Sequence, residues 1–91
     1  MKIIVEYDWV NEFKNWDEAK KHFTNFYDFK SKFIDKHEVI FYEFEFPYVP
    51  MEGQRVGTPW GNCIVRWSFL NLDNISHDFY FDNSRIVVSF E

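Results

Sequence analysis

Three histidines (His22, His37 and His77), one cysteine (Cys63), a lysine set among aromatics (Lys30) and two glutamates one residue apart (Glu43 and Glu45) are the side chains of this sequence best suited to chemistry. Each needs company to act. General acid–base catalysis draws first on histidine, but the patterning puts His22 on the polar side of a helix, His37 in a turn and His77 at a strand start. None stands beside a second catalytic type. Cys63 falls on a core face, where cysteine behaves as a small hydrophobe, and a Cys-His nucleophile would need a histidine brought into that core. No His-x3-His or His-Glu-x-x-His spacing offers a metal its ligands. Glu43 and Glu45 share a strand face, yet exposed carboxylates lack the environment that separates two pKa values for acid and base roles. Lys30 lies inside an apolar stripe, between Phe26 and the pair Phe33 and Ile34. A stem that snorkels outward, or a helix break near Ser31, accounts for it better than a buried catalytic lysine. The sequence therefore predicts a non-enzymatic protein with no cofactor and no metal.

Binding chemistry is better represented. The segment 47–61, PYVPMEGQRVGTPWG, holds all three prolines and all three glycines of the chain. Loops above about 12–15 residues without secondary structure are uncommon in compact domains and tend to be functional. Tyr48, Met51, Arg55 and Trp60 in it are of the types enriched at binding hot spots. The same side chains would also serve to close an open end of the core, as in a compact Ω-loop. The segment is no phosphate cradle, since no Gly-Lys-Ser/Thr ends it and no helix follows.

Charge is unevenly spread. Residues 11–37 carry six basic and five acidic side chains, whereas the remainder carries four basic and ten acidic, so the net charge of −5 arises outside the helical region. Strand alternation places Glu6, Asp8, Glu43, Glu45, Asp78, Asp82 and Glu91 on one sheet face, opposed by Lys2, Arg66 and Arg85. Carboxylates two apart on a strand are separated by roughly 6.5–7 Å, similar to successive phosphates of a nucleic-acid strand. Such a face attracts a basic groove, although acidic residues also simply solvate the wet side of an antiparallel sheet. Ile4, Phe41, Ile64, Leu70, Tyr80 and Val87 interrupt the carboxylates, a mixture typical of a protein-binding surface. Phe41 and Tyr80 on a sheet would suit base stacking, but the carboxylates around them repel phosphate.

The elements that position these groups follow from periodicity. Residues 2–9 alternate, with Ile3, Val5, Tyr7 and Trp9 on one face. Over 15–36 the period becomes helical, opened by Asn15 and Glu18 in the arrangement of a capping box. Its stripe of Trp16, Ala19, Phe23, Phe26, Phe33 and Ile34 gives a helix of roughly 30 Å, enough to cover a sheet face. Alternation returns at 38–46 (Ile40, Tyr42, Phe44 and Phe46 inward), 62–70 (Cys63, Val65, Trp67 and Phe69 inward), 77–82 (Phe79 and Phe81 inward) and 85–91 (Ile86, Val88 and Phe90 inward). Residues 71–76 read as a polar loop and Asp82-Asn83-Ser84 as a tight hairpin. The expected fold is α+β and two-layered: one amphipathic helix on one face of a mostly antiparallel four- to five-stranded sheet, order β-α-β-β-β-β. The helical crossover is long enough to make the first two strands parallel if they are neighbours.

Length and composition bound the rest. Ninety-one residues allow one compact domain, 1–91. With 12 Phe, 5 Tyr and 4 Trp the chain is too aromatic for disorder. No apolar run suits a membrane span, and Glu6 and Asp8 interrupt the stretch a signal peptide would need. The lone Cys63 permits no intrachain disulfide. A cytoplasmic location is expected. Abundant Phe, Ile, Lys, Asn and Tyr against a single Ala point to an AT-rich coding source. The combined reading is an inhibitor that occludes a basic site on another protein, such as a phage or mobile-element antagonist of a host nuclease or defence system, or a toxin-immunity protein. Its contacts are expected at Phe41, Glu43, Glu45, Tyr48, Arg55, Trp60, Asp78, Tyr80 and Asp82, without direct nucleic acid or membrane. The alternatives are a subunit of a homodimer or larger assembly, whose self-contact would use strand edges or the loop, and, third, a small-molecule or nucleic-acid module.

Overall fold

The computed structural model describes residues 2–27, 29–34, 37–69 and 84–91. Among these, the elements are β1 (Lys2–Tyr7), α1 (Trp16–Phe23), β2 (Ser31–Ile34), β3 (His37–Glu45), β4 (Arg55–Thr58), β5 (Gly61–Phe69) and β6 (Ser84–Phe90). The six strands form one sheet in the order β2-β3-β1-β6-β5-β4. Only β1 and β6 pair in parallel; the other four pairs are antiparallel. The α+β class and the single described helix agree with the sequence, whereas the sheet is larger and mixed. The expected strand at 77–82, with its inward Phe79 and Phe81, and the loop at 71–76 lie outside the described residues, as do His77 and the first two residues of the Asp82-Asn83-Ser84 turn. No described helix is long and apolar enough to cross a membrane.

Helix α1 starts as its capping residues dictate: the Asn15 side chain accepts from Glu18 N at 2.9 Å, and Asp17 and Glu18 occupy the first turn at the positive end of the helix dipole. It stops at Phe23, far short of residue 36. Thr24 turns both its N–H and its hydroxyl onto Lys20 O, and the Thr-Asn-Phe-Tyr-Asp-Phe run that follows consists of poor helix formers. Residues 31–34 instead pair with β3, from Ser31↔Ile40 to Ile34↔His37. The predicted long helix is thus a short helix followed by a strand, and this extra strand also reverses the chain, so β1 and β3 are antiparallel neighbours. An eight-residue helix spans only about 12 Å. It leaves Phe44 46% exposed although Phe44 lies on the helix-facing side, and Phe33 lies 62% exposed on the edge strand instead of in a helical stripe.

The core lies between α1 and the sheet, formed by Ile3, Val5 and Tyr7 of β1, Ala19 and Phe23 of α1, Ile40 and Tyr42 of β3, Cys63 and Val65 of β5, and Ile86 and Val88 of β6, together with Val56 and Trp60. Phe23 is its hub, with rings of Tyr7, Trp60 and Phe26 at 4.6, 5.1 and 6.1 Å. His22, expected to point away, is exposed but touches the rings of Phe13, Phe23, Phe26 and Phe90. The central strands are buried on both faces: Ile4 and Val87, on the side away from α1, are as inaccessible as core residues. That is the usual state of strands in parallel pairing, and the runs Ile3-Ile4-Val5 and Ile86-Val87-Val88 are its sequence trace.

The segment 47–61 is not one irregular connection. Residues 55–58 form β4, which pairs with β5 from Arg55↔Ile64 to Thr58↔Gly61 around a two-residue turn, Pro59-Trp60. The Thr58 hydroxyl accepts from Trp60 N at 3.1 Å and donates to Gly61 O at 2.8 Å. Gly61 closes the turn at φ 123°, a conformation L side chains rarely adopt. The preceding residues 51–54 make a second tight turn, in which Gln54 N donates to Met51 O at 3.1 Å and Gly53 takes φ 86°.

Candidate functional site

The register places the side chains of the face opposite α1 in rows. One row runs Glu43 (β3), Ile4 (β1), Arg85 (β6) and Phe69 (β5); the next runs Phe41, Glu6, Val87 and Trp67. Trp67 and Phe69 belong to these rows because of a bulge. Val65 pairs with Val88, but Trp67 pairs with Val87, leaving Arg66 as the extra residue. A one-residue shift sends every later side chain of the strand to the other face. The predicted inward positions of Trp67 and Phe69 are therefore corrected: they are 47% and 43% exposed, on the side that carries Glu43 and Glu45. The Arg85 guanidinium stacks over the Phe69 ring, 4.5 Å from its centroid.

The face is not a continuous acidic plate. Its centre is closed by the buried Ile4, Val87 and Ser89, and accessible groups form two strips. Glu43 and Glu45 on β3 make one; Trp67 and Phe69 on β5 make the other. Three strand spacings separate them, about 14 Å. Glu43 lies 3.9 Å from Lys30 Nζ, an exposed pair of little worth. Lys30 itself sits in the extended stretch before β2, which resolves its odd place in the supposed helical stripe. Between the strips, burial pushes the Glu6 carboxyl above the usual carboxylate range, Arg85 opposes this and Asp8 adds to it. A carboxyl raised in the folded state favours folding while protonated and loses that contribution as pH rises. Glu6→Gln is therefore expected to raise stability at pH 7 relative to wild type, with the gain shrinking toward pH 4, measured by urea denaturation at both values.

The other expected contacts divide. Phe41 is half-buried on the face, and Tyr48 is exposed beside the strand end. Arg55 is exposed and its Nε lies 2.6 Å from Glu91 Oε1. Trp60 is not a contact residue: it is 5% exposed and packs edge-on against Tyr7, Phe23 and Tyr42 at 5.9, 5.1 and 5.2 Å. A two-residue turn folds it back over the core, so its aromatic bulk fills the space that the short helix leaves. Asp78, Tyr80 and Asp82 lie outside the described residues.

At the end of the face an open cleft of about 370 Å³ is lined by Asp8, Asn11, Glu12, Arg66, Trp67 and Ser89. Its polar groups are engaged with one another. Asn11 Nδ2 donates to Asp8 Oδ2 at 2.8 Å, and Arg66 Nε to Ser89 Oγ at 2.5 Å. Glu12 accepts from the Tyr7 hydroxyl and, at 3.1 Å, from Phe90 N. This arrangement clamps the loop after β1 onto β6. The Ser89 hydroxyl is held by Arg66, Cys63 is buried with its thiol pushed up by burial, and no three described His, Cys, Asp or Glu side chains are grouped to hold a metal ion.

No protein-family model, curated protein or solved structure matches the chain. The reading of the site thus rests on its own residues. Sequence reasoning placed Glu43 and Glu45 on their face and missed Trp67 and Phe69, for which the uninterrupted alternation of 63–70 gave no signal.

Proposed function

We propose that this chain is a non-enzymatic binding protein that occludes a basic site on another protein, in the manner of an antagonist of a nuclease or defence system from a phage or mobile element, or of a toxin-immunity protein. The observation that carries this reading is the exposure of Trp67 and Phe69 on the side of the sheet that bears Glu43 and Glu45. Half-exposed large aromatics on the same sheet face as a strip of carboxylates are the composition of an interface, with the aromatics as anchors and the charges setting partner choice and encounter rate. Tyr48 is a further exposed aromatic. Trp60 has no part in it, and Arg55 contributes as an exposed cation paired with Glu91.

Capture of a partner on the immobilised protein, repeated with Glu43→Lys/Glu45→Lys and with Trp67→Ala, tests the reading. Trp67→Ala is expected to weaken binding by about 1–2 kcal/mol or more without lowering thermal stability by a comparable amount, because the side chain is half-exposed. A partner retained equally by all three proteins contradicts it. A second reading, self-association through a sheet edge, is favoured by Phe33 lying exposed on edge strand β2. Light scattering separates the two, since occlusion of a foreign site needs only the monomer.

A further inference from the structure

The cleft of about 370 Å³ at the end of the face has two unlike walls. Asp8 follows β1 and still bonds to β6, its N–H donating to Val88 O at 2.8 Å. Counting on from the pairing of Tyr7 with Val88, Asp8 stands beside Ser89, and both project to the side away from α1. The other wall is β5, where the bulge turns Trp67 to this side and Arg66 Nε donates to Ser89 Oγ. Asp8 and Trp67 thus stand on either side of β6, two strand spacings or about 9–10 Å apart across the sheet.

The bonds already made in the cleft leave it suited to one kind of occupant. Asn11 takes one oxygen of Asp8, Oδ2, so a second acceptor oxygen remains on that carboxylate. Glu12 is engaged by the Tyr7 hydroxyl and Phe90 N, yet its charge still lines the cleft. Two carboxylates against the single guanidinium of Arg66 leave the lining with one negative charge in excess. Trp67 is half-exposed, and among the described residues no ring or cation packs on it. Two residues along the same strand, Phe69 already carries a guanidinium, that of Arg85. Indole is the better ring for such stacking.

We propose that the cleft takes up one arginine side chain of the partner protein, its guanidinium stacked on Trp67 and hydrogen-bonded to Asp8. This contact, which rests on the reading of the chain as a binder of a basic protein site, is one point at which that basicity is read. A guanidinium suits the two walls better than an ammonium, because it is planar, stacks on aromatic faces and forks onto a carboxylate, whereas an ammonium is compact and more strongly hydrated. An anion would meet Arg66 but also two carboxylates, which is unfavourable. The bulge at Arg66 is what builds the site, since without it Trp67 would face α1.

Titration of the isotope-labelled protein with N-acetyl-argininamide, followed by NMR at the Trp67 indole and the Asn11 side-chain amide, provides the test. N-acetyl-lysinamide and the neutral isostere N-acetyl-citrullinamide are the comparisons. The arginine probe is expected to shift both signals saturably and to bind about tenfold tighter than the citrulline probe, with the lysine probe between them. Asp8→Asn keeps an acceptor for Asn11 but removes the charge, and is expected to weaken arginine binding about tenfold. Trp67→Leu removes the stacking face and is expected to weaken it about fivefold, read at Asn11. The dispersion of the backbone amide signals confirms that each variant is folded; if one is not, the other and the citrulline comparison decide. No binding of the arginine probe, equal binding of the citrulline probe, shifts confined to residues outside the cleft, or an affinity unchanged by a folded variant overturns the proposal. Lysine binding as tightly as arginine overturns the assignment to a guanidinium. The wider reading falls separately, when a captured partner is held undiminished by Glu43→Lys/Glu45→Lys.

Discussion

Trp60→Ala is expected to lower the unfolding free energy by about 3–5 kcal/mol, the range for deleting a large buried aromatic. Three edge-on ring contacts, to Tyr7, Phe23 and Tyr42, disappear together. The loss is large against the 5–15 kcal/mol that holds a typical domain folded. The indole Nε1 is buried and bonded to no described residue, so Trp60→Phe gives up ring area but no hydrogen bond and is expected to cost much less. Urea denaturation measures both, read as a change in midpoint at constant slope. Partner binding per folded molecule should be unaffected. Weakened binding with unchanged stability would return Trp60 to the contact surface.

The second large effect concerns the clamp at Glu12. Its carboxylate accepts from the Tyr7 hydroxyl and from Phe90 N, tying the loop after β1 to the last strand. Glu12→Ala leaves the hydroxyl of a nearly inaccessible tyrosine without its acceptor. Two bonds to a carboxylate are lost, and a cost of about 2–4 kcal/mol is expected. The clamp also carries a pH signature. Burial first, then the hydrogen bond and charge of Glu12, hold the Tyr7 phenol above its ordinary range. Above pH of about 10 an unfolded tyrosine ionises while the folded one keeps its proton. The unfolded state then binds fewer protons, so stability falls as pH rises. Tyr7→Phe is expected to flatten this alkaline limb of the melting temperature, scanned from about pH 8 to 11. An unaltered slope would place the phenol in water.

How much of this was legible in the sequence depended on whether a local pattern had one solution. The strands at 2–7 and 84–90 were legible because Ile3, Val5, Tyr7, Ile86 and Val88 fall on one face by alternation, although Ile4 and Val87 on the other face are buried as well, and Asn15 with Glu18 marked the start of α1 through a bond that forms within one turn. The stretch 24–34 had two solutions. Phe26, Phe33 and Ile34 fit a helical stripe, but Phe33 also alternates as a strand, and pairing with β3 decided between them. Periodicity cannot weigh a partner strand that it does not see. The bulge at Arg66 is a similar case, since a clean alternation through 63–70 is compatible with either register until β6 fixes it. Trp60 was misread for another reason: prolines and glycines marked a loop correctly, but they do not tell whether its aromatic turns outward or closes the core. On the candidate face, the positions of Glu43 and Glu45 were therefore legible, whereas the exposure of Trp67 and Phe69 appeared only in the fold.

The central claim is that the strips bearing Glu43, Glu45, Trp67 and Phe69 hold a basic partner. The dissociation constant of the captured partner, measured against salt concentration for wild type and Glu43→Lys/Glu45→Lys, tests it most directly. Wild-type affinity should fall steeply with salt, and the double variant should bind at least about tenfold more weakly at low salt with a shallower dependence. Identical affinities and identical salt slopes for the two proteins would contradict the account.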